Sequence, residues 1–342
     1  MAKYKDSELF WLNDMRFLAA VAVIFVHVSQ GIMSSSNGLG SMQWWAADFY
    51  QALSYWGVPV FVMISGALLL NPKRVYINNK EFYKKRVHRL LPPLIFWSIV
   101  YIAWSFLKAK VTHTNYGIND IFTNLLAGTP YYHMWYVYMV FGLYLITPYL
   151  RKVVRYSTKK ELLTLSIFIM FLSIFTVYTS NIQIEVTLFL QKFPYYIGYF
   201  ILGYLIMDSK FKIKTIYFLA TIILSEIIII LGAYIFNNPY AFYNNFSPLM
   251  IIVAISLMFI IKNIHKKIPI SKDIREKLVS FSLGAYLIHP LILSVIKKFN
   301  YFGIDLERYS FIAIPIFVFI IVVISLTIAY IISKIPYLKR TI

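Results

Sequence analysis

The sequence predicts an all-α, polytopic membrane protein with about ten transmembrane helices, its N-terminus and C-terminus both on the cytoplasmic side (N-in and C-in). Three observations predict it. Apolar stretches long enough to cross a bilayer, roughly 20 residues each, recur near 12–32, 50–71, 89–107, 133–150, 161–180, 190–207, 215–236, 245–262, 278–296 and 309–333. Only 14% of residues are charged and 60% are hydrophobic, against roughly 25% charged in a soluble domain. With ten spans and a cytoplasmic N-terminus, 26 of the 33 Lys and Arg fall in cytoplasmic segments and six in external ones, as the positive-inside tendency requires.

The cytoplasmic set is Lys3 and Lys5, then Lys73 to Arg89, Arg151 to Lys160, Lys210 to Lys214, Lys262 to Lys277 and Lys334 to Arg340. The external set is Lys108, Lys110, Lys192, Lys297, Lys298 and Arg308. The net charge of +19 is therefore read as topology and not as a nucleic-acid surface. Trp44, Trp45, Tyr50, Tyr131, Tyr132 and Trp135 mark interfacial belts. The longest external stretches, near 33–49 and 108–132, leave no room for a soluble domain, so residues 1–342 read as a single transmembrane domain. The first apolar run carries Arg16 and follows no small-residue cleavage site, so it reads as a retained helix. There are no cysteines, which excludes disulfides and thiolate chemistry.

The first span holds Arg16 and His27, eleven positions apart. Eleven helical steps are three turns plus about 20°, so both lie on one face, about 16 Å apart along the axis. Intramembrane ionisable groups are costly and are usually functional. Arg16 reads either as a functional cation or as a side chain snorkelling to the headgroups. His27 reads either as a hydrogen-bonded packing residue or as a general base, since neutral imidazole takes a proton from a hydroxyl. In the second span, Ser65 and Gly66 are small residues of the kind that permit close helix packing.

Lys84-Lys85-Arg86-Val87-His88-Arg89 leads into the third span. Arg86 and Arg89 share a helical face. Two guanidinium forks suit a phosphate clamp, and charge alone equally makes them a positive-inside anchor. His133 opens the fourth span at the external face, in His133-Met134-Trp135-Tyr136. Glu226 lies inside the seventh span, where an unpaired carboxylate asks for a proton or a cation. His289 sits mid-way along the ninth, followed by Pro290, which removes a backbone donor. His133 and His289 read either as lining an external acceptor site or as packing residues. No Walker loop, Gly-x-Ser-x-Gly elbow, His-x-x-x-x-Asp or His-Glu-x-x-His motif occurs, which removes support for ATP-driven transport and for hydrolase or zinc-peptidase chemistry.

Taken in order, several patterns resemble the polysaccharide-modifying membrane acyltransferases, acyltransferase family three. These are Arg16-x10-His27, Gly57-Val58-Pro59-Val60-Phe61 leading to Ser65-Gly66, Arg86-x-x-Arg89, His133-x-Trp135-Tyr136 and Tyr286-x-x-His289. The resemblance covers essentially the whole chain and looks closest to stand-alone members of the enterobacterial common antigen O-acetyltransferase type. One position departs: the family's acid three residues before the helix-one Arg is Asn13 here, with Asp14 beside it.

The resemblance implies an O-acyltransferase of the bacterial cytoplasmic membrane. Acetyl-coenzyme A would be the cytoplasmic co-substrate, and a cell-surface or lipid-linked glycan the acceptor, with no metal and no nucleic acid. It implies His27 as base or transient acyl carrier, and Arg16 as an orienting cation or as the partner of an acid at the cavity floor. Arg86, Arg89 and Ser65 would be on the donor side, and His133, Trp135, Tyr136, Tyr286, His289 and Glu226 on the acceptor side. The alternative expectation is an exporter or transporter of a glycan or small polar solute.

Overall fold

The computed structural model describes residues 10–72, 78–179, 188–210, 213–238, 240, 242–265 and 271–342. Lys3, Lys5, Lys73, Arg74, Lys212, Lys266 and Lys267 of the cytoplasmic charge set lie outside the described residues. The described secondary structure is helical: α1 (Phe10–Met33), α2 (Met42–Ala52), α3 (Gly57–Leu69), α4 (Asn79–Thr112), α5 (Ile118–Leu126), α6 (Trp135–Tyr156), α7 (Lys159–Thr179), α8 (Ile197–Asp208), α9 (Thr215–Ile235), α10 (Pro248–Ile264), α11 (Lys272–Lys298) and α12 (Leu306–Lys334). Among these residues, eight segments are long and apolar enough to cross a membrane: α1, α2 with α3, α4, α6, α7, α9, α11 and α12. The sixth and eighth expected spans correspond to the shorter α8 and α10.

Local chemistry sets the helix ends. The Ser41 hydroxyl accepts from the Trp44 amide at 3.1 Å and starts α2. Asn78 does the same for α4 through the Lys80 amide. Thr158 and Glu161 form a reciprocal capping box at the start of α7. Helix α4 begins ten residues before the expected third span and so contains Arg86 and Arg89. The expected second span is broken at 53–56 between α2 and α3. The stretch 33–49, read as external, contributes most of α2, and Trp44, expected at an interface, is buried in a core with Ile24, Val28 and Ile32.

The chain divides into two compact units. Among the described residues, one comprises Ser65–Leu205 with Ser333–Ile342; the other comprises 10–64 with Ile206–Ile332. In the first, α4 packs on α6 and on the C-terminal turn Leu338–Thr341, where Trp97 Nε1 donates to the Thr341 carbonyl at 2.8 Å. Helix α7 meets α8 through Ser166, whose hydroxyl donates to the Gly198 carbonyl at 2.8 Å. In the second unit, α1 packs on α2, α10 and α11, and α9 on α10 and α2. Large apolar side chains such as Ile167, Phe171, Ile223, Leu224 and Phe319 cover the outer faces of α7, α9 and α12, as lipid-facing surfaces require.

Candidate active site on helices one and eleven

Helices α1 and α11 run parallel, side by side, and meet at three levels. At the N-terminal level, Asp14 pairs with Arg275 at 3.0 Å, their side chains only 9% and 8% exposed. Desolvated carboxylates need such a partner. The acid beside the family's departed position is thus committed to α11. Arg16 lies half-buried two residues further along α1.

At the middle level, the His27 ring stacks on His289, with centroids 5.3 Å apart and planes 22° apart. His27 is half-buried and His289 fully buried behind it. The His-Pro pair explains how His289 is held. Pro290 has no N–H, so the Tyr286 carbonyl four residues earlier loses its helical donor. His289 Nδ1 takes that place, 2.6 Å from the Tyr286 oxygen. A carbonyl only accepts, so Nδ1 carries the proton and Nε2 is the basic nitrogen of the neutral ring. Tyr286 also lies edge-on to Phe61 of α3.

At the far level, Lys297 lies across Gly31, one turn beyond His27. A β-carbon at Gly31 would sit 2.5 Å from Lys297 Nζ and 3.2 Å from the Tyr301 hydroxyl. Tyr301 belongs to four successive residues with positive φ, Asn300 to Gly303, an arrangement costly for side-chain-bearing residues. Its phenol is buried without a hydrogen-bond partner among the described residues, and burial pushes it up to about 12, so it keeps its proton.

Glu226 lies in the same unit, in a second polar group with Asp48 and Tyr243. The Tyr243 hydroxyl donates to Asp48 Oδ1 at 2.7 Å. Burial and the Asp48 carboxylate raise the Tyr243 phenol well above its usual value.

The remaining expected residues fall in the other unit. Arg86 lies over the Phe82 and Tyr144 rings at 5.5 and 5.7 Å, and Arg89, one turn on, is exposed. Arg151 covers Phe82 at 4.5 Å and donates through Nε to the Leu69 carbonyl at 2.6 Å, adding a cation to this group. Ser65 is half-buried beside Gly66, whose backbone packs directly on the Phe200 carbonyl. His133 is buried against Tyr101, Tyr131 and Tyr132. Trp135 faces Tyr196 and Lys192, and Tyr136 lies next to it on α6.

The structure therefore brings His27, Tyr286 and His289 together, with Glu226 in a separate cluster of the same unit. Arg86, Arg89, Ser65, His133, Trp135 and Tyr136 belong to the other. Sequence reasoning missed Lys297, Tyr301, Asp48 and Arg275. Gly31, four residues after His27, was a usable signal for the first two, because a glycine there leaves room for a long side chain from a neighbour.

No curated protein and no solved structure matches the chain. Residues 9–334 match the family model described as the acyltransferase domain. With nearly its whole length covered, the chain belongs to acyltransferase family three.

Proposed function

We propose that the protein is an O-acetyltransferase of the bacterial cytoplasmic membrane. It would move an acetyl group from cytoplasmic acetyl-coenzyme A to a hydroxyl of a cell-surface or lipid-linked glycan, in the manner of the enterobacterial common antigen type. The observation that carries the reading is the half-buried His27 ring seated on the fully buried His289 inside a family-three chain. The family match favours this enzyme over an exporter.

In the proposed reaction, the His27 imidazole accepts the proton of an acceptor hydroxyl as that oxygen attacks the thioester carbonyl. The C–S bond breaks, and the leaving thiolate takes the proton back from His27. His289, fixed through its Nδ1 proton, holds the His27 ring against one face. Arg86, Arg89 and Ser65 are assigned to the donor, with the two guanidinium groups on its phosphates. His133, Trp135, Tyr136, Tyr286 and Glu226 are assigned to the acceptor side. Arg16 is assigned to the donor end of α1. No metal takes part.

The ten-span, N-in and C-in arrangement is part of the proposal. Helix directions support it. Gln43 Nε2 donates to the Ile32 carbonyl and Gly57 packs on Ala19 and Val23, so α2–α3 runs antiparallel to α1. Trp45, at the start of α2, meets Tyr234, at the end of α9, with centroids 5.0 Å apart, so α9 runs antiparallel to α2 and parallel to α1. Helix α11 is parallel to α1 as well. Both directions hold if α8 and α10 each cross once. The 26-to-six charge division supports a cytoplasmic start of α1.

The test is mass spectrometry of surface glycans from a deletion strain complemented with wild type or His27→Ala. Wild type restores an acetyl ester; His27→Ala accumulates in the membrane and restores none. A normal ester level with His27→Ala sinks the proposal.

A further inference from the structure

In the unit that holds His27, five buried polar side chains lie on α2, on α9 and in the stretch from Tyr243 to Ser247 that leads into α10. Asp48 is 0% exposed, Gln51 1%, Glu226 6% and Ser247 0%. Tyr243 closes the group by donating to Asp48, and Glu226 lies within electrostatic reach of both Asp48 and Tyr243. Asp48 Oδ2, Gln51 Oε1, Glu226 Oε2 and Ser247 Oγ are all buried without a hydrogen-bond partner among the described residues. An unmet buried polar atom costs about 1–3 kcal/mol, so four of them on α2, α9 and the start of α10 point to a missing ligand. Gln51 Oε1 only accepts, the Ser247 hydroxyl both donates and accepts, and the two acids accept when ionised and donate when protonated. A ligand that both donates and accepts, as a sugar hydroxyl does, suits such a group.

The walls narrow the choice. Ala52, Ile229 and Met250 pack with Tyr243, and the Tyr55 ring lies 5.4 Å from the Tyr243 ring. A ring with an apolar face and a rim of hydroxyls fits aromatic and aliphatic walls with acceptors between them. A bare cation would use the oxygens but not the rings, and the sodium arm of the experiment separates the two.

The depth fits as well. Gln43 is level with Ile32, and Gly57 with Ala19 to Val23. Between these, the Tyr50 ring stacks on Phe25 at 5.7 Å. Gln51 and Asp48 therefore stand at the level of His27 on the neighbouring helix.

We propose that Asp48, Gln51, Glu226, Tyr243 and Ser247 form the acceptor-sugar subsite, binding the hydroxyl groups of a neutral glycosyl unit beside His27. The assignment rests on the acyltransferase reading for its role, while sugar binding itself is measurable without any acyl donor.

The experiment uses full-length protein in lipid nanodiscs, in choline chloride and without coenzyme A. Melting is followed on adding glucose, galactose, mannose or N-acetylglucosamine, with glucosamine and sodium chloride as separate arms. Variants are Asp48→Asn and Glu226→Gln, which keep shape while replacing an acceptor oxygen by a donor. Generic sugar stabilisation is removed by comparing wild type and variant at one concentration. At ten times the Kd, a neutral sugar is expected to raise the wild-type Tm by about 3 °C more than either variant's, with ligand-free Tm values alike. Equal shifts in wild type and variants, or no shift with any neutral sugar, overturn the proposal. So does a variant-sensitive shift with sodium or glucosamine alone. If sugars bind as expected but His27→Ala still transfers acetyl in cells, the subsite stands and the acyltransferase mechanism falls.

Discussion

The His289 ring backs the His27 ring at 5.3 Å, and His289 is itself fixed by the Tyr286 carbonyl, from which Pro290 removes the helical N–H. In the proposed reaction His289 is therefore a positioning residue. His289→Phe keeps a ring against His27 but removes the Nδ1–H bond to the buried Tyr286 carbonyl, which costs about 1–3 kcal/mol. Misplacing the base lowers kcat by about 10²-fold, while the KM for acetyl-coenzyme A stays near wild type. Steady-state kinetics beside a thermal melt separates the two effects; an unchanged kcat removes His289 from the mechanism.

The Asp14–Arg275 pair fixes the other end of the same two helices. Removing one partner strands a buried charge, so Asp14→Ala is expected to lower stability by about 3–5 kcal/mol. The double variant Asp14→Leu with Arg275→Met removes both charges and is expected to recover most of that loss. Thermal melting of purified variants checks this. Equal damage from the single and double variants means the pair does not hold α1 to α11.

Two glycines make opposite predictions from one substitution. At Gly66 a new methyl meets the Phe200 backbone carbonyl, which cannot yield without shifting α8. Gly66→Ala is therefore expected to be severely destabilising, about 3 kcal/mol or more, as overpacking against backbone is. At Gly31 the methyl meets the tip of Lys297, a flexible chain that swings away. The helix gains roughly 0.5–1 kcal/mol from replacing glycine, so Gly31→Ala melts within about 1 kcal/mol of wild type while displacing the Lys297 ammonium from α1. Melts of the two variants side by side decide it; a Gly31→Ala protein as damaged as Gly66→Ala refutes the distinction.

The helical class, most spans and the His27 and His289 candidates were legible because hydrophobic length and costly polar groups leave marks on a single segment. The partnership of α1 with α11 was not, since nothing local ties His27 to a residue 262 positions away. Asp48 was hidden for another reason. It sits in a stretch whose tryptophans and glycines read as an external connection, and only packing shows that α2 turns those side chains into a core. Asn13, a departure from the family pattern, gave no sign that Asp14 was already held by Arg275.

Arg86 and Arg89 share a face of α4 but differ in surroundings, and that difference separates a binding role from an anchoring one. Arg86 is wedged over Phe82 and Tyr144, so Arg86→Ala loses packing as well as charge. Arg89 is exposed, so Arg89→Ala is expected to leave the stability within about 0.5 kcal/mol of wild type. If Arg89 meets a donor phosphate, losing that charge-assisted contact, worth about 1.5–3 kcal/mol, weakens acetyl-coenzyme A binding by roughly 10- to 100-fold. Arg89→Lys recovers only part of it, because an ammonium cannot reproduce the two-pronged contact. Calorimetric titration of acetyl-coenzyme A into each nanodisc-embedded variant gives the answer. An Arg89→Ala protein that binds the donor as wild type does would leave this arginine as a cytoplasmic-side anchor and move the donor phosphates elsewhere, with Arg151 the next cation to test in the same unit.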